Sequence, residues 1–215
     1  MKYSNIYKRV SSLISRLYKL EVVGQENIPA DGAIVAANHT AMMDVLVLSV
    51  AMGGRQVRFM AKKELFRIPL VSSLIRSLGA FPVDRAGADV GSIKTAIGLI
   101  ENGELLGIFP QGTRQGGKDP RTTPVKAGVG LIAYHTRGCV LPVMIENDKM
   151  KVTMFSKTRV TIGKPLYYDD LGFSDGGRAE YTRAAENIFA HICELKYGET
   201  QDIDTAEDAH DDKNS

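Results

Sequence analysis

The stretch Ala33-Ile34-Val35-Ala36-Ala37-Asn38-His39-Thr40-Ala41-Met42-Met43-Asp44 decides how this chain folds. Its first five residues form a short apolar run that reads as a buried strand. Val45-Leu46-Val47-Leu48-Ser49-Val50 follows as a second buried segment, expected as a helix over 45–52. The polar cluster between them places a His and an Asp at the end of a strand, the rim where open α/β sheets hold ligands. Histidine accepts a proton readily near neutrality. A carboxylate five positions on can reach back to orient the ring and stabilise its imidazolium. No Ser or Cys nucleophile stands at a recognisable elbow, so the pair reads as a base that activates a substrate hydroxyl. A plainer reading also stands at this point, with His39 capping a helix and Asp44 on the surface.

The surrounding chain supplies alternating strands and helices. Strands are expected at Leu20–Gly24, Val57–Ala61, Gly79–Arg85, Leu105–Phe109 and Cys139–Ile145, with a closing hairpin from 152–155 and 159–162. Helices are expected from Pro69 to about Leu78, over 89–101, from Lys126 to about Thr136 and from Gly177 to Tyr197. Gln115–Thr123, polar and Gly-rich, reads as a mobile loop. The alternation predicts the α/β class, a mostly parallel central sheet flanked by helices.

The 215 residues suit one domain with appendages, expected as a helix over 1–19, a domain over 20–198 and a tail over 199–215. The net charge of +2 hides an asymmetry. Residues 199–215 hold seven acids and one base, which leaves 26 bases against 18 acids in the body. Such a body suits phosphates or an anionic membrane, whereas the acidic tail without aromatics reads as disordered. Cys139 and Cys193 read as buried free thiols of a reducing compartment. Four histidines without Cys-x-x-Cys or His-x-x-x-His predict no metal site. No run approaches the roughly 20 apolar residues of a membrane span, and no secretory signal is expected at the N-terminus. The aromatics do not alternate with basic residues, so no nucleic-acid stacking platform is expected.

Residues 3–18 carry apolar side chains at unbroken three-four spacing, the pattern of an amphipathic helix. Lys2, Lys8, Arg9, Arg16 and Lys19 occupy the remaining surface. Such a helix can dock on the protein core or lie in a lipid headgroup region. The cationic face favours the second reading, with Arg58, Lys62, Lys63 and Arg67 facing the same anionic lipid.

Four polar clusters each follow an expected strand: His39/Asp44, Asp84/Arg85, Gln111/Thr113/Arg114 and Lys126/Gly128. Singly, each has a dull explanation, an ion pair or a turn. On one rim they would set three cations beside one His. Arg grips phosphate bidentately and Gly-flanked backbone lets N–H groups approach an anion. The composite is a proton-accepting pair next to a phosphate cradle, suited to transfer chemistry on a hydroxyl of a phosphorylated substrate.

Asn38 to Asp44 resembles the Asn-His-x-x-x-x-Asp motif of the glycerolipid acyltransferases, in particular the bacterial 1-acyl-sn-glycerol-3-phosphate acyltransferases. Gly79 to Arg85 is similar to their second motif and Phe109-Pro110-Gln111-Gly112-Thr113-Arg114 to their third, Phe-Pro-Glu-Gly-Thr-Arg. Val140-Leu141-Pro142-Val143 is similar to the fourth. Order and spacing agree over roughly residues 20–165. The resemblance implies transfer of a fatty acyl group from a thioester, carried by acyl carrier protein or coenzyme A, to the sn-2 hydroxyl of lysophosphatidic acid. It gives phosphatidic acid and needs no metal or cofactor. His39 would be the base and Asp44 its orienting partner. Arg85, Thr113, Arg114 and Lys126 would hold the phosphate, and Asn38, Gln111 and Gly112 would support them, Asn38 as scaffold or oxyanion donor. The expected place is the cytoplasmic face of the membrane, attached peripherally. Another lysophospholipid, a lyso-ornithine-type lipid or a weakened lipid-binding role are the alternatives. The departure is Gln111, where the family pattern has Glu; Gln keeps an acceptor oxygen, adds a donor and drops the charge.

Overall fold

The computed structural model describes residues 3–77, 79–83 and 90–198. Thirteen regular elements follow one another: α1 (Tyr3–Leu17), β1 (Leu20–Val23), β2 (Ala33–Ala37), α2 (Asp44–Ala51), β3 (Val57–Lys62), α3 (Pro69–Ser77), β4 (Phe81–Val83), α4 (Val90–Glu101), β5 (Leu105–Ile108), α5 (Gly128–Thr136), β6 (Cys139–Asn147), β7 (Thr158–Ile162) and α6 (Arg178–Tyr197). The strands form one sheet in the order β1-β7-β6-β2-β5-β3-β4. Every neighbouring pair is parallel except β6 and β7. The mostly parallel α/β sheet expected from the alternation is therefore present.

β2 lies at the centre, with Ala36 opposite Ile108 of β5 and Pro142 of β6. All five of its residues are buried, which explains an apolar run with no polar alternation. Its side chains still alternate between faces. Ala33, Val35 and Ala37 meet Val47 and Leu48 of α2 and Ile14 of α1 on one side. Ile34 and Ala36 meet Ala96 of α4, Ile132 of α5 and Ile188 of α6 on the other. β2, β3, β5 and β6 all run the same way, so their carboxyl ends open on one rim.

Three expectations need correction. No strand forms over 152–155; residues 148–157 are the loop joining β6 to β7, and β7 pairs with β6 itself, Ile145 opposite Val160. The apolar face of α1, from Tyr7 onward, is turned to protein rather than lipid. Ile14 and Tyr18 are buried, Val10 and Leu17 pack against the same core, and the Tyr7 hydroxyl donates to the Val50 carbonyl. Leu13 alone of the described apolar set is well exposed, at 56%. Arg58, finally, sits low on β3 and pairs with Glu104 at 3.5 Å, away from Lys62 and Lys63 at the strand's far end. The acidic tail, 199–215, lies outside the described residues, and among those described no helix is long and apolar enough to cross a membrane.

Candidate active site

His39 stands two residues past the end of β2, and Asp44 opens α2. The Asp44 side chain has no solvent exposure, which removes the surface reading. Its Oδ2 accepts from His39 Nδ1 at 2.8 Å, from the Ala41 N–H at 2.8 Å and from the Thr40 N–H, while Oδ1 accepts the Thr40 hydroxyl at 3.0 Å. A buried carboxylate is tolerated because every side of it meets a donor, and the amino end of α2 adds favourable potential. An acceptor at Nδ1 requires that nitrogen to carry a proton, so in the neutral imidazole Nε2 keeps its lone pair. The His39 side chain is 17% exposed and lines a small cleft with Thr40, Gln115, Lys118 and Met150.

The imidazole plane is set by a residue for which the sequence analysis named no role. Phe109 stacks on His39 with ring centroids 4.0 Å apart and planes 14° from parallel. Phe59 of β3 stacks behind it, 6.0 Å from Phe109. Gly107 of β5 makes this possible, since a Cβ there would fall 2.5 Å from the Phe59 ring. The three aromatic planes run from the sheet to the base.

The loop after β5 holds the His39 backbone at both of its polar groups. Gln111 Oε1 accepts the His39 N–H at 2.6 Å, and the Gln115 N–H donates to the His39 carbonyl at 2.8 Å. Gln111 is 2% exposed, and its Nε2 donates to Thr123 Oγ1 at 2.7 Å. The Thr123 hydroxyl in turn donates to the Pro120 carbonyl. The amide thus has a partner at each end, and the segment 115–123, expected to be mobile, is tied down at Gln115, Gly117 and Thr123. Thr123 gave no signal in the sequence beyond lying in that segment.

Thr113, Arg114 and Lys126 are exposed on the same rim. Gln115 Nε2 donates to Thr113 Oγ1 at 3.1 Å. Gly112 adopts φ +69°, and a Cβ there would meet Lys126 Cδ at 2.9 Å, so the glycine lets the lysine stem cross close beside Gln111. Asp84 and Arg85 lie outside the described residues. The Asn38 amide braces the site: its Nδ2 donates to the Ile145 carbonyl at 2.9 Å and its Oδ1 accepts the Ile145 N–H at 2.7 Å, which clamps β2 to β6. That geometry is the scaffold, one of its two expected roles. Among the described residues no group of acids, histidines and cysteines could hold a metal ion.

Comparison with known proteins bears on this geometry. The model of a family described as Acyltransferase matches residues 19–146. A 1-acyl-sn-glycerol-3-phosphate acyltransferase of Bacillus subtilis is 36% identical over 154 residues, 70% of this chain and 75% of that one. Its namesake in Streptococcus pneumoniae is 31% identical over 64% of this chain and 51% of its own length. The crystal structure of the 1-acyl-sn-glycerophosphate acyltransferase PlsC from Thermotoga maritima superposes with a TM-score of 0.62 at 28% identity, covering 90% of this chain and 78% of that one. A matched region running from the first strand through the His-Asp pair to the end of β6, on a fold shared with a solved acyltransferase, places the chain in the acyltransferase family.

Proposed function

We propose that the protein transfers a fatty acyl group from an acyl thioester to the sn-2 hydroxyl of lysophosphatidic acid, giving phosphatidic acid for phospholipid synthesis. The observation that carries this reading is the orientation of His39: Nδ1 is committed to a fully buried carboxylate, which leaves Nε2 of the neutral ring as an acceptor. In the first step Nε2 takes the hydroxyl proton as the oxygen attacks the thioester carbonyl. The tetrahedral intermediate collapses, the carbon–sulfur bond breaks, and the imidazolium returns its proton to the leaving thiolate. Asp44 stabilises the imidazolium between the two transfers. Arg114 and Lys126 offer positive charge to the acceptor phosphate, with Arg85 and Thr113 assigned to the same task. Holding base, hydroxyl and thioester together can supply up to about 7–11 kcal/mol of the barrier reduction.

The donor thioester is carried by acyl carrier protein or coenzyme A, both acidic partners for a basic body. The acceptor and product are lipids, so the protein works at the cytoplasmic face of an anionic membrane without spanning it. Purified protein should release free thiol from an acyl thioester only when lysophosphatidic acid is present, and His39→Ala should abolish that release. Activity in both proteins, or in neither, defeats the reading.

A further inference from the structure

Ten large apolar side chains are well exposed among the described residues. Six stand on the rim that holds His39: Met42 after β2, Leu65 and Ile68 after β3, and Met150, Met154 and Phe155 between β6 and β7. Soluble surfaces scatter such residues singly, and a concentration around one site marks an interaction surface. The opposite rim carries Tyr167, beside the isolated bridge from Leu166 to Val140 at the start of β6.

The segment 148–157 is built to keep its apolar residues outward. Asn147 closes its base, donating to the Lys157 carbonyl at 2.9 Å and accepting the Lys149 N–H at 3.0 Å. The Val152 N–H donates to Thr40 Oγ1 at 3.1 Å, and the Met150 carbonyl accepts the Gly117 N–H at 2.9 Å, so the loop is fastened to the active-site residues themselves. The Phe155 N–H donates to the Leu17 carbonyl at 2.6 Å, fastening the other end to α1. Phe155 holds a left-handed φ of 63° while 68% exposed, an uncommon backbone for a bulky residue. A loop anchored at both ends that presents Met154 and Phe155 to water gains nothing for the fold from those two side chains. The exposed Lys149 and Lys151 share the loop, and Arg16 and Lys19 flank it, against a single exposed acid, Asp148. Apolar tips ringed by lysine and arginine fit an anionic bilayer, where the tips leave water and the cations meet headgroups.

We propose that the β6–β7 loop seats the protein on an anionic membrane, Met154 and Phe155 entering the acyl region while Lys149 and Lys151 lie among the headgroups. The proposal rests on the reading of a lipid acceptor and names the surface that reaches it. It replaces the apolar face of α1, which the core occupies. The cleft at His39 then opens toward lipid through Thr40, which both ligates Asp44 and fastens the loop.

The chain has no tryptophan, so one indole reports alone. With phosphatidylglycerol vesicles, Phe155→Trp should shift its emission to the blue and be quenched by lipids brominated along their chains; Tyr167→Trp on the opposite rim should do neither. The double variant Met154→Gln, Phe155→Asn should lose on the order of ten-fold or more in vesicle affinity. It should lose turnover of long-chain lysophosphatidic acid in vesicles and keep turnover of a dispersed short-chain acceptor. Asn tolerates the left-handed backbone, and an unchanged melting temperature shows that the fold is kept. An unshifted indole on vesicles that bind the protein, or unchanged affinity of the double variant, overturns the proposal. Wild-type protein whose loop inserts but which acylates neither acceptor overturns the functional reading instead.

Discussion

Gln111 Oε1 accepts the backbone N–H of His39 at 2.6 Å, joining two loops 72 residues apart at the base itself. The neutral amide suits this place, since Nε2 donates to Thr123 while Oε1 serves His39. A carboxylate also fits, because the Thr123 hydroxyl can turn from the Pro120 carbonyl, which still accepts the Thr123 N–H at 3.0 Å. Gln111→Glu should therefore keep kcat within about five-fold, whereas Gln111→Leu strands the His39 N–H at a cost of about 1–3 kcal/mol and lets the base drift. For Gln111→Leu kcat should fall about 10–100-fold with KM little changed. Steady-state kinetics on the two variants separate a positioning amide from a group that binds substrate.

Asp44→Asn separates charge from geometry. The amide oxygen can keep the His39 Nδ1–H and the Thr40 and Ala41 N–H groups, while its NH₂ turns to the Thr40 hydroxyl oxygen. The tautomer survives and the counter-charge for the imidazolium is lost. kcat should drop about 10²–10⁴-fold. The melting temperature should move much less than in Asp44→Ala, which leaves those N–H groups without their acceptor. Equal melting temperatures for the two variants would show that the carboxylate does not organise the loop.

Phe109→Leu keeps most of the buried volume and removes the ring beneath His39. A stacked pair contributes about 0.5–1.5 kcal/mol beyond its burial, so kcat should fall by up to about ten-fold with KM held. A KM change without a kcat change would place Phe109 against substrate instead.

The strand-loop-helix carrying His39 and Asp44 was legible because its signals are local: five apolar residues, a polar cluster, a second apolar run. The alternation behind the sheet was legible for the same reason. What escaped depends on partners distant in sequence. Asn38 meets Ile145 across 107 residues, and nothing near Asn38 shows that its amide clamps two strands. Val152–Phe155 reads as a strand by composition, yet the Val152 N–H goes to Thr40 and the Phe155 N–H to Leu17, so no ladder forms. For α1, the periodicity gives an apolar face and is silent on whether protein or lipid covers it.

Arg114→Ala and Lys126→Ala test the phosphate rim. Each removes one exposed cation, and a charge-assisted contact is worth about 1.5–3 kcal/mol. KM for lysophosphatidic acid should rise about ten-fold or more in each, while turnover of a phosphate-free monoacylglycerol should be unaffected. An equal loss on both acceptors would mean that the cations serve the donor.

Acid should loosen the approach to α6. Glu180 accepts the Ser174 hydroxyl, the Ser174 N–H at 3.1 Å and the Gly176 N–H at 3.0 Å. These donors, the Ser174 hydroxyl foremost, hold its carboxyl down at about 2 against an ordinary 4.5. A carboxylate with a depressed folded-state pKa contributes stability above its ordinary value and loses it as pH falls through the folded one. The window here runs from about 4.5 down to about 2. Asp119, held at about 2 by the Arg121 guanidinium, adds to the same decline from 3.8 downward. Glu180→Gln cannot titrate; its amide oxygen keeps the Ser174 and Gly176 N–H groups through weaker bonds while its NH₂ turns to the Ser174 hydroxyl oxygen, so it should melt below wild type at pH 7. Its melting temperature should fall less steeply across the window, and the two curves should meet near pH 2. Melting followed by circular dichroism at each pH gives both curves; parallel curves would assign the acid sensitivity to other carboxylates.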